Sequence, residues 1–231
     1  MAPWFERQPL PFPLPAGQRA PAAPSRPPGA IVADATIAER DALNVVREWG
    51  QSIEFGDQYL RGHSSRVAEH AAELATALGM DSQTRMTIVA GAYLHGVGRM
   101  RVPPAVQNKP ATLTPQERVT VQQIPVWGTE ILSKVRMPWD VTPIVRWHNE
   151  RADGTGYPDA LRGDEIPLEA QIVGIANVFD ALTSPRPHRP ALKPAQAVRT
   201  LARSENSWSA ELFHTYLHQL QTRYPGSLRL A

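Results

Sequence analysis

Residues Arg146-Trp147-His148-Asn149-Glu150-Arg151-Ala152-Asp153-Gly154-Thr155-Gly156-Tyr157-Pro158 decide the reading of this chain. Two glycines, a proline and an aspartate within six residues, Asp153 to Pro158, make a loop rather than a helix or strand. Glycine lets another backbone or a ligand come close. Upstream, Val141 to His148 carries apolar residues at helical spacing, and Leu168 to Leu182 does so downstream. The loop therefore joins two predicted core helices, each bearing polar residues that a core helix does not need.

Working outward, Thr36-Ile37-Ala38-Glu39 reads as a capping box. It opens a helix that should turn Ile37, Leu43, Val46 and Trp49 inward and run to about Phe55. A second helix is expected from about Leu60 to Leu78, stopped by Gly79, and a third from about Gln83 to Leu94. Thr114-Pro115-Gln116-Glu117 repeats the capping signal with proline at the first helical position. Further helices are expected at Ala195 to about Arg203 and Ser209 to about Arg223. The last has Leu212, Phe213, Tyr216, Leu217 and Leu220 on one side. No stretch alternates long enough to require a strand.

The bounds are those of one globular helical domain plus a tail. The chain has 231 residues, 42% hydrophobic and 20% charged, with a net charge of +2. That charge is too small to point to nucleic acid. No cysteine is present, which excludes disulfides, thiolate ligands and a cysteine nucleophile. No apolar run reaches the roughly 20 residues needed to span a bilayer, and the start lacks a signal-peptide core. A cytoplasmic location is expected. Residues 1–30 are rich in Pro and Ala, and Leu10-Pro11-Phe12-Pro13-Leu14-Pro15 alternates proline with apolar residues. Proline fixes φ and removes a donor, so 1–30 is expected to be a disordered or polyproline-like leader, with residues 31–231 forming the folded domain. Trp4, Phe5 and Phe12 give the leader a second reading as a docking peptide.

The 146–158 run resembles the signature loop of the HD-GYP domain, a bacterial branch of the metal-dependent HD phosphohydrolases that hydrolyse cyclic di-GMP. The resemblance covers about residues 59–201, with further motifs in the family's order. His63, followed three residues later by Arg66-Val67, is similar to the first ligand motif. His95-Gly96-Val97-Gly98-Arg99 stands at the HD doublet, with Gly96 where the aspartate belongs and Arg99 for lysine. Ile124 stands where a ligand histidine is expected, Asn149 replaces the second of paired histidines, and Asn177 replaces the closing aspartate. Asp180 is kept one turn later.

The resemblance implies an all-α HD-domain helical bundle. His63, His95 and His148 are its remnant metal ligands, and Gly96, Ile124, Asn149 and Asn177 are the degenerate positions. The three histidines also have a plainer reading as buried rings bonded to backbone carbonyls. Clustered divalent metals need anionic oxygens for charge balance and bridging, which Gly, Ile and Asn do not supply. No cofactor, or at most one divalent metal (Zn, Fe or Mn), is expected. Arg99, Arg186 and Arg189 match residues that contact the phosphates of cyclic di-GMP. The loop Asp153, Gly154, Thr155, Gly156, Tyr157 and Pro158 matches the family's contact with protein partners, including diguanylate cyclases. The expectation is a signalling protein without phosphodiesterase activity. Residual single-metal hydrolysis and a purely structural interaction domain are the alternatives. His70 reads as a partly exposed helix residue, and His214 with His218, at i and i+4, as a solvated helix face with a surface metal pair as the alternative.

Overall fold

The computed structural model describes residues 36–54, 59–109, 111–185 and 190–225. The leader, Phe55, Arg186 and Arg189 lie outside that set. Among the described residues there is no strand, and no helix is long and apolar enough to cross a membrane.

Helix α1 (Ile37–Ile53) starts at the expected capping box. Thr36 Oγ1 accepts from the Glu39 amide at 3.3 Å, and the Glu39 carboxylate accepts from the Thr36 amide at 2.8 Å. Leu43, Val46 and Trp49 are buried, but Ile37 is 77% exposed. The expectation of an inward Ile37 fails because the buried stripe of α1 begins only at Ala42. Helix α2 (His63–Ala77) ends at Gly79, whose φ of 70° reverses the chain into α3 (Ser82–Leu94). A 3₁₀ turn, Val97–Arg101, and the short α4 (Pro104–Gln107) follow. Helix α5 (Pro115–Gln122) uses the second capping box and buries no residue. Helices α6 (Ile124–Leu132) and α7 (Thr142–Trp147) lead to the signature loop. After it come α8 (Leu168–Thr183), α9 (Pro194–Leu201) and α10 (Ala210–Arg223).

Helix α2 packs on α3 and α8, α1 covers α3, and α7 bridges α6 and α8. The core between them includes Leu74, Ile88, Leu94, Ile144, Ile172, Ile175 and Phe179, all essentially out of water. Each such side chain contributes about 1.5–3 kcal/mol through burial. His70 belongs to this core as well, against the expectation of a partly exposed residue. Its ring stands edge-on to Phe179 and Tyr216, at 5.2 and 6.0 Å between centroids. The α2 face that carries it is covered by both α8 and α10. His214 and His218 are exposed on α10, as expected.

Candidate functional site

Three helix ends meet where the histidines lie. His63 is the first residue of α2, entered through Gly62 with φ 70°. His95 caps the end of α3 and His148 the end of α7. All three are at least 95% buried. His95 sits between the other two, with ring centroids 5.1 Å from His63 and 5.0 Å from His148. The sequence thus identified three residues that the fold does bring together.

The outward nitrogen of each ring has an acceptor. His63 Nδ1 donates to Asp180 Oδ2 at 2.6 Å, His95 Nδ1 to the Ala92 carbonyl at 2.7 Å, and His148 Nδ1 to the Val145 carbonyl at 3.0 Å. The carbonyl-bonded reading is therefore correct for one edge of two rings. These acceptors assign the proton to Nδ1 and leave Nε2 as the inward atom. Metal-ligating histidines are held in this way, by a hydrogen bond from the other ring nitrogen. His63 Nε2 and His95 Nε2 face each other at 3.1 Å. Two lone pairs at that distance repel, so the contact calls for one proton or one cation between them. Burial and the neighbouring His148 and His63 push His95 well below the ordinary histidine range, and burial takes His148 to about 4. The Asn149 side-chain amide faces His148 Nε2 at 3.0 Å and donates to it.

The carboxylates nearby are engaged elsewhere. Asp180, on α8, accepts from His63 and from Arg66, whose Nε is 2.5 Å from Oδ1. Burial alone would raise its pKa, but the His63 and Arg66 bonds outweigh burial and hold it well below the usual carboxylate range. Glu54 is buried and caps the start of α2, accepting from the Gly62 and Ser64 amides at 2.7 and 2.5 Å. Burial raises its pKa. Sequence reasoning missed Glu54, because no local spacing ties it to His63.

Glu150 is turned away from the histidines. It is buried and accepts from the Asp159 and Leu161 amides at 2.7 and 3.1 Å, which folds the signature loop back on itself. Gly156 lies against the backbone of Glu150 and Arg151, where a Cβ would overlap Glu150 Cα and sit 2.5 Å from the Arg151 nitrogen. Asp153 Oδ1 accepts from the Thr155 amide and hydroxyl at 2.9 and 2.5 Å. Arg146 and Trp147 both bond Asp159, at 2.7–2.8 Å. Gly154 has φ 81°, and Tyr157-Pro158 is cis. The loop is built as a rigid strap with Asp153, Thr155 and Asp159 outward.

At the degenerate positions, a Cβ on Gly96 would meet only the flexible Arg99 side chain, at an ordinary contact distance of 3.6 Å. Ile124 is buried at the start of α6, close to Gly98. Asn177 is half-buried on α8. A cavity of about 10 Å³ lies beside the histidines, lined by Glu54, His63, His95, Gly96 and Arg99 among others. That volume is at the lower limit for one water. Among the described residues no group of three or more His, Asp or Glu side chains forms a ready-made metal cage. The donors present do not fit a two-metal centre, which needs bridging carboxylates. They offer a histidine pair, with His148 one ring further on. Arg99 is half-buried on the 3₁₀ turn.

A helical bundle with histidines converging from three helix ends is the architecture of an HD domain. The HD-domain family model matches residues 51–209, and the chain belongs to that family. Over 155 residues it is 37% identical to the cyclic di-GMP phosphodiesterase response regulator RpfG of Xanthomonas campestris, covering 66% of this chain and 40% of that protein. Over 148 residues it is 34% identical to the 3'3'-cGAMP-specific phosphodiesterase 3 of Vibrio cholerae, covering 64% of this chain and 32% of that one. The chain thus spans less than half the length of these two relatives. Among solved structures, Bd1817, an HDG"Y"P protein from Bdellovibrio bacteriovorus, is similar with a TM-score of 0.61 over 80% of this chain and 71% of that one. At 19% identity that likeness speaks to the fold alone. The relatives bear out the resemblance to HD-GYP phosphodiesterases read from the sequence.

Proposed function

We propose that this chain is a cyclic-dinucleotide signalling protein of HD-GYP type that has lost phosphodiesterase turnover. It acts through its strapped loop, which presents Asp153, Thr155 and Asp159 to a protein partner. Arg99, Arg186 and Arg189 would hold the phosphates of cyclic di-GMP, the nucleotide in the name of the Xanthomonas relative. Arginine suits that role because its fork donates two bonds to one phosphate.

The engagement of the carboxylates carries the reading. Metal-assisted phosphodiester hydrolysis needs a hydroxide activated by metals whose charge the protein balances. Asp180 is held by His63 and Arg66, Glu150 by two loop amides, and Glu54 by two helix amides. Positions 96, 124, 149 and 177 offer no anionic oxygen. The loop, in contrast, is braced by the bonds of Glu150, Asp153 and Asp159.

The test is titration of the full chain with cyclic di-GMP by calorimetry, alongside turnover of the same nucleotide and elemental analysis of the same sample. The expected result is binding without turnover. Replacing Arg186 and Arg189 by alanine should abolish the binding heat, and unchanged affinity in that variant would remove the arginines from the site. One observation favours a second reading, residual hydrolysis on a single metal: the 3.1 Å approach of His63 Nε2 and His95 Nε2, which suits neighbouring ligands of one ion. One tightly held ion per chain together with turnover would establish that reading over the first.

A further inference from the structure

Away from the histidines, α2 and α10 enclose a groove of about 680 Å³, within the range of ligand and peptide sites. His70 and Tyr216 form its floor, and Thr76, Ala77 and Gln219 are among the residues along its walls. The lining is mostly apolar, with His70 and Tyr216 at its base and Phe179 packed edge-on behind them in the core. The Tyr216 hydroxyl is buried with no hydrogen-bond partner. The rim carries no free acidic pair, because Arg223 bonds Glu73 at 3.1 Å and Glu69 at 3.3 Å. An aromatic floor with a neutralised rim suits an apolar, extended chain rather than a phosphate. Grooves of this kind take polyproline segments, which lose little entropy on binding.

The chain carries such a segment and delivers it to the right end of the groove. Glu39, in the first turn of α1, accepts from the Gln83 side chain, in the first turn of α3, at 2.8 Å. Helix α3 starts directly after the turn that closes α2, where the Gly79 amide bonds Thr76 and the Met80 amide bonds Ala75. The chain before Thr36 therefore joins the bundle at the same end of α2 as Thr76 and Ala77, which line the groove. Residues 16–35 extended would reach about 66 Å. The α2 wall from Glu69 to Ala77 is about 12 Å long, and six polyproline residues span about 19 Å.

We propose that Leu10–Pro15 docks in cis into the α2–α10 groove, with Phe12 on the His70–Tyr216 floor. Tethering supplies an effective concentration in the millimolar range, enough to populate a contact that would be weak between separate molecules.

The absence of cysteine allows a clean test in the full chain. A nitroxide on Gln8→Cys should broaden the amide resonances of Thr76, Gln219 and Thr222 at least twofold more than those of α7, relative to the reduced label, at every protein concentration. Thr76→Arg, at an exposed groove position, should remove the effect, and so should Phe12→Ser. Each variant is checked for an unchanged helical spectrum. Broadening absent from the groove overturns the proposal, and so does broadening that survives both substitutions. Broadening of label-free, isotope-enriched protein when it is mixed with spin-labelled, unenriched protein makes the occupant a second copy, which also overturns it. None of these outcomes depends on nucleotide or metal binding.

Discussion

Asp180 Oδ2 lies 2.6 Å from His63 Nδ1, and this one contact ties the start of α2 to the end of α8. Arg66, one turn after His63, bonds the other carboxylate oxygen. In the sequence Asp180 is a retained acid beside a lost ligand. In the fold it orients an imidazole and is not itself free to take a metal.

Asp180→Asn should therefore cost stability. The amide cannot accept from both donors on two anionic oxygens, and a charged buried acceptor of this kind is worth about 2–3 kcal/mol. Urea denaturation should show a lower midpoint with an unchanged slope. An unmoved midpoint would mean that the pair does not hold α2 to α8.

The two glycines at positions 96 and 156 should answer to alanine in opposite ways. Gly156→Ala forces a Cβ into the backbone of Glu150 and Arg151 and should destabilise by about 1–3 kcal/mol. Gly96→Ala meets only the Arg99 side chain, at φ −90°, and should be neutral or slightly stabilising. Melting temperatures of the two variants measured side by side decide this, and equal losses would contradict the packing described for the loop.

His70 gives the stability profile an acid limb. Burial, reinforced by Arg223, lowers its pKa from 6.5 to about 4. Between those values the unfolded chain binds a proton that the folded chain refuses. Stability is complete above pH 6.5 and falls as pH drops toward 4, by roughly 3 kcal/mol at most. His70→Phe removes the titration and keeps an aromatic ring on Phe179 and Tyr216. Its stability relative to the parent should rise as pH falls through that window, as read by urea midpoints at pH 7, 5.5 and 4.5. Parallel profiles would show that His70 is not the group responsible.

Restoring acids should restore metal. Position 96 accepts a Cβ with only the flexible Arg99 side chain in contact, and position 177 lies half-buried on the same helix as Asp180. Gly96→Asp combined with Asn177→Asp should retain about one more manganese ion per chain after dialysis than the parent, because carboxylates are the ligands that this hard ion prefers. Elemental analysis gives the count directly. An unchanged count would place the defect in the surrounding hydrogen bonds rather than in the ligands.

Helix starts were legible because capping is local: Thr36 with Glu39 and Thr114 with Glu117 sit three residues apart and need nothing else. The three histidines were legible because motif order survives in the chain. Ile37 misled, since an apolar residue in a first turn need not reach the core. His70 misled for the opposite reason, because only the packing of α8 and α10 over α2 makes its position interior. Glu54 and the Glu150 latch were illegible. Each carboxylate finds backbone amides eight to eleven residues away, a distance set by loop shape and not by any residue pattern.

His63 and His95, each with Nδ1 donating outward and Nε2 turned in, also bear on which element the chain would favour. With the carboxylates engaged, the interior is a nitrogen base of intermediate softness. Along the divalent series such a base ranks copper and zinc above manganese, and it has little hold on magnesium. On the proposed reading, a chain loaded with an equal mixture of ions should therefore keep copper or zinc in preference to manganese, a selectivity opposite to that of a carboxylate-rich site.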